Sequence, residues 1–273
     1  MRLILKNRYI IISSDSFKII VLADLHLGLE QEKNRRSIRF AQLSQRVLEN
    51  LFRDIEHENP THVFILGDIK QSIGYKTSKE EFLLRGLFTF LSEHNIQCEI
   101  AQGNHDADIT AEEYPNISIS SPQGFIFPVH PNKSVGFAHG HAYPSKAYDS
   151  QTFLLILGHL HPAVQLSEEH VGAVYRLPAF LRTDCTIESF NSITKKYAKE
   201  EFLTPMSLQE ILILPAYNEF LGSCAINFPQ DAKRKGFCSH LVRTFDFEII
   251  LLDGTILGKA SGLSPGLAKN RQR

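Results

Sequence analysis

Five short apolar runs in this chain each end abruptly in aspartate, asparagine or histidine, and amphipathic helical patterns separate the first three. The runs are Ile19 to Ala23, Val63 to Leu66, Cys98 to Ala101, Val135 to Ala138 and Leu154 to Leu157, each of strand length and composition. They lead into Asp24-Leu25-His26, Gly67-Asp68, Gly103-Asn104-His105-Asp106, His139-Gly140-His141 and Gly158-His159-Leu160-His161. Between Ser37 and His57, Phe40, Leu43, Val47, Leu51, Phe52 and Ile55 recur at spacings of three and four, which predicts a long amphipathic helix. Ser78 and Glu81 carry a capping-box spacing ahead of Phe82, Leu83, Leu87, Phe90 and Leu91, which predicts a second. Strand, helix, strand, helix, strand requires parallel pairing, because parallel neighbours need crossover connections. Parallel pairing gathers the motif residues at the carboxyl ends of the strands, where open α/β sheets bind ligands.

The rest of the chain reads as strands. Leu3 to Leu5, Tyr9 to Ile12 and Phe17 to Ala23 are β segments joined by polar turns. After Asp108 the helical signal fades, and Ile117 to Ser120, Phe125 to Pro128, Val135 to Ala138 and Phe153 to Leu157 suggest a second, mixed sheet packed on the first. Two such sheets would set all five loops around one rim. Thr183 to Ser207 is polar, with Lys195, Lys196 and Lys199, and reads as a surface excursion or lid. Strands resume over about 210–258: Ile211 to Pro215 is core-like, and Phe245 to Leu252 and Thr255 to Leu257 flank Asp253-Gly254, a signature of a type I′ hairpin. We expect one domain over residues 1–273.

The composition, 43% apolar and 22% charged, is that of a globular chain, and no apolar run approaches a membrane span. Charge interrupts the first residues too early for a signal peptide, and the four cysteines lack C-x-x-C spacing, so reduced thiols and a cytoplasmic location are expected. A formal net charge of −1 neither favours nor excludes a nucleic-acid partner.

The motifs supply seven candidate metal ligands: Asp24, His26, Asp68, Asn104, His139, His159 and His161. Asp24 and His26 are two apart, as are His159 and His161, so either pair can face one ion from a strand end. Gly67 lets the backbone run close to the site, and the two oxygens of Asp68 can bridge two cations. Mixed nitrogen and oxygen donors with no thiolate are too many for one tetrahedral zinc and suit two ions sharing Asp68. Two divalent cations against two carboxylates leave an electropositive site, which fits an anion and phosphate best. Two-metal sites activate water for in-line attack at phosphorus. His105 would then protonate the leaving group or stabilise transition-state charge, Asp106 would orient its imidazole, and His141 could contact the phosphate from the other side.

The ordered set D-x-H, G-D, G-N-H-D, H-G-H and G-H-x-H resembles the calcineurin-like metallophosphoesterase superfamily over Asp24 to His161, about half the chain. The resemblance implies a four-layer α/β/β/α sandwich, two mixed sheets flanked by helices, with two divalent metal ions, manganese first and iron or zinc as alternatives. It implies a first ion held by Asp24, His26, Asp68 and His161, a second by Asp68, Asn104, His139 and His159, and His105 as the acid. A finer resemblance links Asp24 to Gly28, His139 to Pro144, Gly158 to Pro162 and Leu214 to Asn218 to SbcD-related archaeal phosphoesterases. That likeness implies a DNA-repair or helicase partner; the expected substrate is a phosphate ester, DNA or RNA first, and no membrane partner is expected.

Other residues carry weaker signals. His57, His62, His94, His130, His170 and His240 lack motif context and read as ordinary positions. Arg35 and Arg36 form part of a solvated run or face a phosphate backbone, and Lys233, Arg234 and Lys235 read as a soluble turn. Tyr217 and Asn218 either pack beneath the site or return towards it. The leading expectation is a phosphodiesterase of nuclease type. Its rivals are a small-molecule phosphatase or cyclic-nucleotide phosphodiesterase, and a non-catalytic subunit that keeps the fold.

Overall fold

The computed structural model describes residues 1–34, 42–112, 114–144, 151–168, 173–197, 207–228 and 236–263. Its first sheet holds six strands in sequence order: β1 (Arg2–Leu5), β2 (Ile10–Ser13), β3 (Lys18–Leu22), β4 (His62–Ile65), β5 (Gln97–Ala101) and β6 (Ile117–Ser120). β1, β2 and β3 form an antiparallel meander, whereas β3 to β6 run parallel, with Leu22 beside Ile65 and Ile65 beside Ile100. That register aligns the carboxyl ends of β3, β4 and β5, as the repeating strand and helix pattern requires.

The second sheet comprises β7 (Phe125–His130), β8 (Lys133–Ala138), β9 (Thr152–Leu157), β10 (Pro162–Glu168), β11 (Ala173–Asp184), β12 (Glu210–Ile213), β13 (Cys224–Ala225), β14 (Glu248–Leu251) and β15 (Ile256–Lys259). Within it β8, β9 and β12 are parallel, with Ala138 beside Leu157 and Leu157 beside Ile213. The helices are α1 (Leu29–Asn34), α2 (Leu43–Glu58), α3 (Ser78–Glu93), α4 (Ile187–Tyr197) and α5 (Phe237–Thr244).

Strand alternation sorts the side chains into three apolar layers. Ile10, Ile12, Ile19, Val21, Phe64 and Leu66 meet Val135, Phe137, Leu154 and Ile156 between the sheets. Ile11, Ile20, Leu22, Val63 and Ile65 face the other way, onto Val47, Leu51 and Ile55 of α2 and Leu83, Leu87 and Leu91 of α3. Leu155, Leu157, Ile211 and Ile213 pack against Phe190 and Ile193 of α4 and Phe237 and Leu241 of α5. The result is an α/β/β/α sandwich. Its central strands are buried on both faces, which is why they read as continuous apolar runs rather than alternating ones.

Several local expectations shift. The capping box sits one residue earlier than Ser78: the Thr77 hydroxyl accepts from the Glu80 amide at 3.2 Å, and Glu80 accepts from the Thr77 amide at 2.7 Å. Phe82 is exposed, because Leu83, Leu87 and Leu91 with Leu84 and Phe88 already fill the inward stripe of α3. At Asp253-Gly254 only Gly254 has positive φ, 89°, and its amide bonds Leu251 at 2.9 Å, so the loop has three residues rather than the two of a type I′ turn, which needs positive φ twice. Part of the polar excursion at Thr183 to Ser207 is α4, whose Phe190, Ile193 and Thr194 are buried; residues 198–206 lie outside the described residues, as do Arg35, Arg36, Phe40, His170 and Lys233 to Lys235. Among the described residues no helix is long and apolar enough to cross a membrane.

Candidate metal centre and its surroundings

The five motifs meet at one rim, where the carboxyl ends of β3, β4 and β5 face those of β8 and β9 across the intersheet layer. Contact between the two sheets is direct. The His159 amide donates to Asp24 Oδ2 at 3.0 Å, and His139 Nδ1 bonds the Leu66 carbonyl at 2.7 Å. So close an approach leaves no room for side chains at the crossing: a Cβ on Gly67 would lie 2.5 Å from His139 Nδ1, and one on Gly103 would lie 2.2 Å from the Asp68 amide.

The motif backbone is not extended. Asp24, His26, Asp68, His159 and His161 have φ of 60°, 43°, 49°, 69° and 48°, a left-handed conformation that L residues avoid at a cost of about 1–2 kcal/mol each. Eight non-glycine residues adopt positive φ among those described, and five of them are these. Such strain persists where the surrounding structure imposes it and concentrates at functional sites. Here Leu25 and Leu160, each fully buried between two polar neighbours, anchor the turns in the outer apolar layers.

Three groups of donor atoms result, each with its atoms within 4.8 Å of one another: Asp24, His26 and His161; His26, Asp68 and His105; Asp68, His139 and His159. Asp68 stands in two of them. Its Oδ2 lies 3.5 Å from His26 Nε2 and 3.3 Å from His139 Nε2, while His161 Nε2 lies 3.2 Å from Asp24 Oδ1. Backbone carbonyls set the rings: Leu66 for His139, Gln71 for His105 at 2.5 Å and Gly222 for His161 at 3.1 Å, each engaging Nδ1 and leaving Nε2 to the site. Asn104 stands in the turn between Gly103 and His105, exposed. His141 is half-buried beside the third group, its ring 5.2 Å from that of His139.

The electrostatics ask for cations. Burial holds the imidazoles of His26 and His141 down to about 4 and that of His159 to about 3, so at neutral pH their lone pairs are open. Burial also opposes charge on His139, yet Asp68 and Asp24 hold its imidazolium up to about 9. Against its own burial, Asp68 is held far below the usual carboxylate range by His139, His26 and His105. His26 Nδ1 and Nε2 are buried with no hydrogen-bond partner among the described residues, and His159 Nδ1 shares a hydrogen bond with His139 Nε2 at 3.0 Å. Unpaired buried polar atoms are costly, and a cation held among these nitrogens and carboxylates would satisfy them. Divalent metal ions fit this donor set of imidazole and carboxylate.

Asp106 takes a different position from the one expected of it. Fully buried beneath the turn, it accepts from the Ile69 and Gly103 amides, both at 2.9 Å, and the His105 ring is oriented by Gln71 instead. Burial, then Asp68, pushes its carboxyl up to about 6. We expect Asp106→Ala to strand both amides and cost about 1–3 kcal/mol. Thermal denaturation reads the loss, and an unchanged midpoint would show that the amides find other partners.

Main-chain contacts that a residue pattern does not display complete the site. The Tyr217 and Asn218 amides bond the Ala23 and Asp24 carbonyls, and Asn218 Nδ2 bonds the Leu25 carbonyl at 2.7 Å, so Asn218 pins the first motif. Tyr217 packs in the outer layer with its hydroxyl on Asp54 at 2.6 Å. The first amides of α5, from Phe237 and Cys238, bond the His141 and Gly140 carbonyls and hold the fourth motif. Only the Leu-Pro-Ala-Tyr-Asn run offered a sequence signal for any of these.

The family model described as calcineurin-like phosphoesterase matches residues 17–203. Among solved structures, the chain is similar in fold to a nuclease, MPE, of Pseudomonas putida, at 17% identity and a TM-score of 0.50 over 94% of this chain and 98% of that one. It also matches Yfce, a phosphoesterase from E. coli, at 13% identity and a TM-score of 0.38, covering 88% and 97%. No curated protein matches significantly.

Proposed function

Because the chain belongs to the calcineurin-like phosphoesterase family and is thus a metallophosphoesterase, we propose that it hydrolyses phosphodiesters of nucleic acid at a two-metal centre. The observation that carries this reading is Asp68, shared by two donor groups and adjoined by His105, whose amide donates to Asp68 Oδ1 at 3.0 Å. Asp24, His26, Asp68 and His161 would hold one ion, and Asp68, Asn104, His139 and His159 the other. When bound, the two ions supply Lewis acidity, lowering the pKa of water and offsetting phosphate charge. Manganese is the ion we favour, since carboxylate, amide and imidazole donors together suit it.

The chain's own groups do the rest. His105 Nε2 lies 3.9 Å from Asp68 Oδ2 with Nδ1 engaged by Gln71, which presents one ring nitrogen to the site for proton transfer to a departing oxygen. His141, its ring 5.2 Å from that of His139, can hydrogen-bond a phosphate oxygen. Arg8, Arg176 and His161 line an open pocket of about 220 Å³ on the first ion's flank, and guanidinium groups there suit the flanking phosphates of a strand. The resemblance of the motif residues to SbcD-related phosphoesterases favours the same substrate and a DNA-repair or helicase partner, and the early charge and cysteine spacing favour a cytoplasmic place of action.

The test is a panel offered to the manganese-loaded chain: single-stranded DNA, duplex DNA, RNA, a 2′,3′-cyclic nucleotide and a phosphomonoester. We expect nucleic acid to turn over fastest, with activity lost to a chelator and restored by manganese. Preference for the monoester or cyclic nucleotide would overturn the nucleic-acid substrate, and turnover of nothing would overturn the reaction.

A further inference from the structure

The loop from Gln71 to Lys76 is braced by more polar contacts than a surface turn requires. Lys70, fully buried, donates to the Ser72 carbonyl at 2.6 Å and the Gly74 carbonyl at 2.8 Å and pairs with Asp108 at 2.9 Å. The Ser72 amide and hydroxyl donate to Glu80 at 2.8 and 2.7 Å, and the Lys76 amide donates to Asp108 at 2.6 Å. What this scaffold presents is apolar: Ile73 is 77% exposed and Tyr75 is 93% exposed. Isolated exposed apolar residues are ordinary, but here two share a braced loop whose first carbonyl, that of Gln71, also orients His105. Ile73, Tyr75, His105 and Glu80 line one open pocket of about 460 Å³, and among the described residues no lysine or arginine lines it.

We infer that this loop is a stacking platform for the nucleobase attached to the departing side of the scissile phosphodiester, with Tyr75 as the stacking ring and Ile73 beside it. The inference rests on the proposed reaction, in which the leaving oxygen must come within hydrogen-bond reach of His105 Nε2. Whatever that oxygen carries then extends into the pocket His105 lines. With Glu80 on its wall and no cation among its described lining residues, this pocket is a poor site for phosphate, unlike the flank with Arg8 and Arg176. A planar, uncharged group with an apolar face fits it, and a nucleobase is that group in a nucleic-acid strand. Aromatic stacking tolerates every base, so little sequence preference follows.

The test compares the wild-type, Tyr75→Ala and Tyr75→Phe chains, full length and manganese-loaded, binding a labelled, cleavage-resistant tetrathymidylate and an abasic oligomer of equal length by fluorescence anisotropy. Stacking contributes about 1–3 kcal/mol per base, so about tenfold tighter binding of the base-bearing oligomer is expected for wild type and Tyr75→Phe. Tyr75→Ala should lose that advantage and leave the abasic affinity unchanged. The side chain is solvent-facing, so the fold does not depend on it. An advantage that survives Tyr75→Ala, or an equal loss on both oligomers, overturns the platform. Cleavage of unmodified oligomers separates the two ideas: hydrolysis with no base-dependent binding leaves the reaction and removes the platform, whereas base-dependent binding without hydrolysis removes the reaction and with it the assignment of the bound base to a departing side. A 2′,3′-cyclic nucleotide bound as tightly as the tetranucleotide would show that a single nucleoside, not a strand, occupies the pocket and would overturn the strand-bound form.

Discussion

Asp68→Asn should abolish the two-metal centre and lower kcat/KM on a phosphodiester by about three orders of magnitude, roughly 4 kcal/mol of transition-state stabilisation. One carboxylate oxygen lies 3.3 Å from His139 Nε2 and 3.5 Å from His26 Nε2, and the other accepts the His105 amide. An amide of the same shape removes the charge and turns one of these oxygens into a donor. Elemental analysis should find one metal or none per chain where the wild type holds two. A second readout needs no activity. In chelated wild-type protein Asp68 helps hold the His139 imidazolium up to about 9, above the 6.5 usual for histidine. A raised histidine pKa contributes stability fully present below the unfolded value and lost as pH rises through the folded one. Stability of the chelated wild type should therefore fall between about pH 6.5 and 9, and Asp68→Asn should flatten that slope. Two metals per chain with unchanged kcat/KM in the variant would remove the bridging role.

Changing His105 to alanine should lower kcat on an oligonucleotide by about 100- to 1,000-fold, the usual range for a lost general acid. The same variant should lose far less on bis-p-nitrophenyl phosphate, because p-nitrophenolate departs without a proton. Metal content should stay at the wild-type value. The geometry makes this contrast informative, since His105 also stands in a donor group with His26 and Asp68 and could serve as a ligand. Equal losses on both esters, together with lost metal, would make His105 a ligand and leave the acid unassigned.

How far the sequence could be read depends on whether a residue acts through its neighbours in the chain or across the fold. The strands leading to Asp24, Asp68 and Asn104 were legible because burial on both faces demands continuous apolar runs. α2 was legible because one face of a helix packs and the other is solvated. α4 was read as a polar excursion because only Phe190 and Ile193 carry its apolar signal among lysines and serines. β10, β11 and α5 were not anticipated; β11 turns from exposed to buried along its length as it leaves β10 for β12 and β14, so no single period describes it. Asp106 sits next to His105 in the chain but braces Ile69 and Gly103, and chain adjacency pointed to the wrong partner.

The sequence by itself determined the candidate donors, their order along the chain and the parallel strand ends that carry them, because these follow from residue type and hydrophobic period. Only the tertiary structure decided how the donors meet. The left-handed turns at Asp24, His26, Asp68, His159 and His161, the carbonyl that orients each of His105, His139 and His161, and the braced loop presenting Tyr75 all depend on segments distant in the chain being packed together. Main-chain carbonyls and amides are the same in every residue, so their placement leaves no mark in the sequence. It arises when separate segments are brought within hydrogen-bond distance.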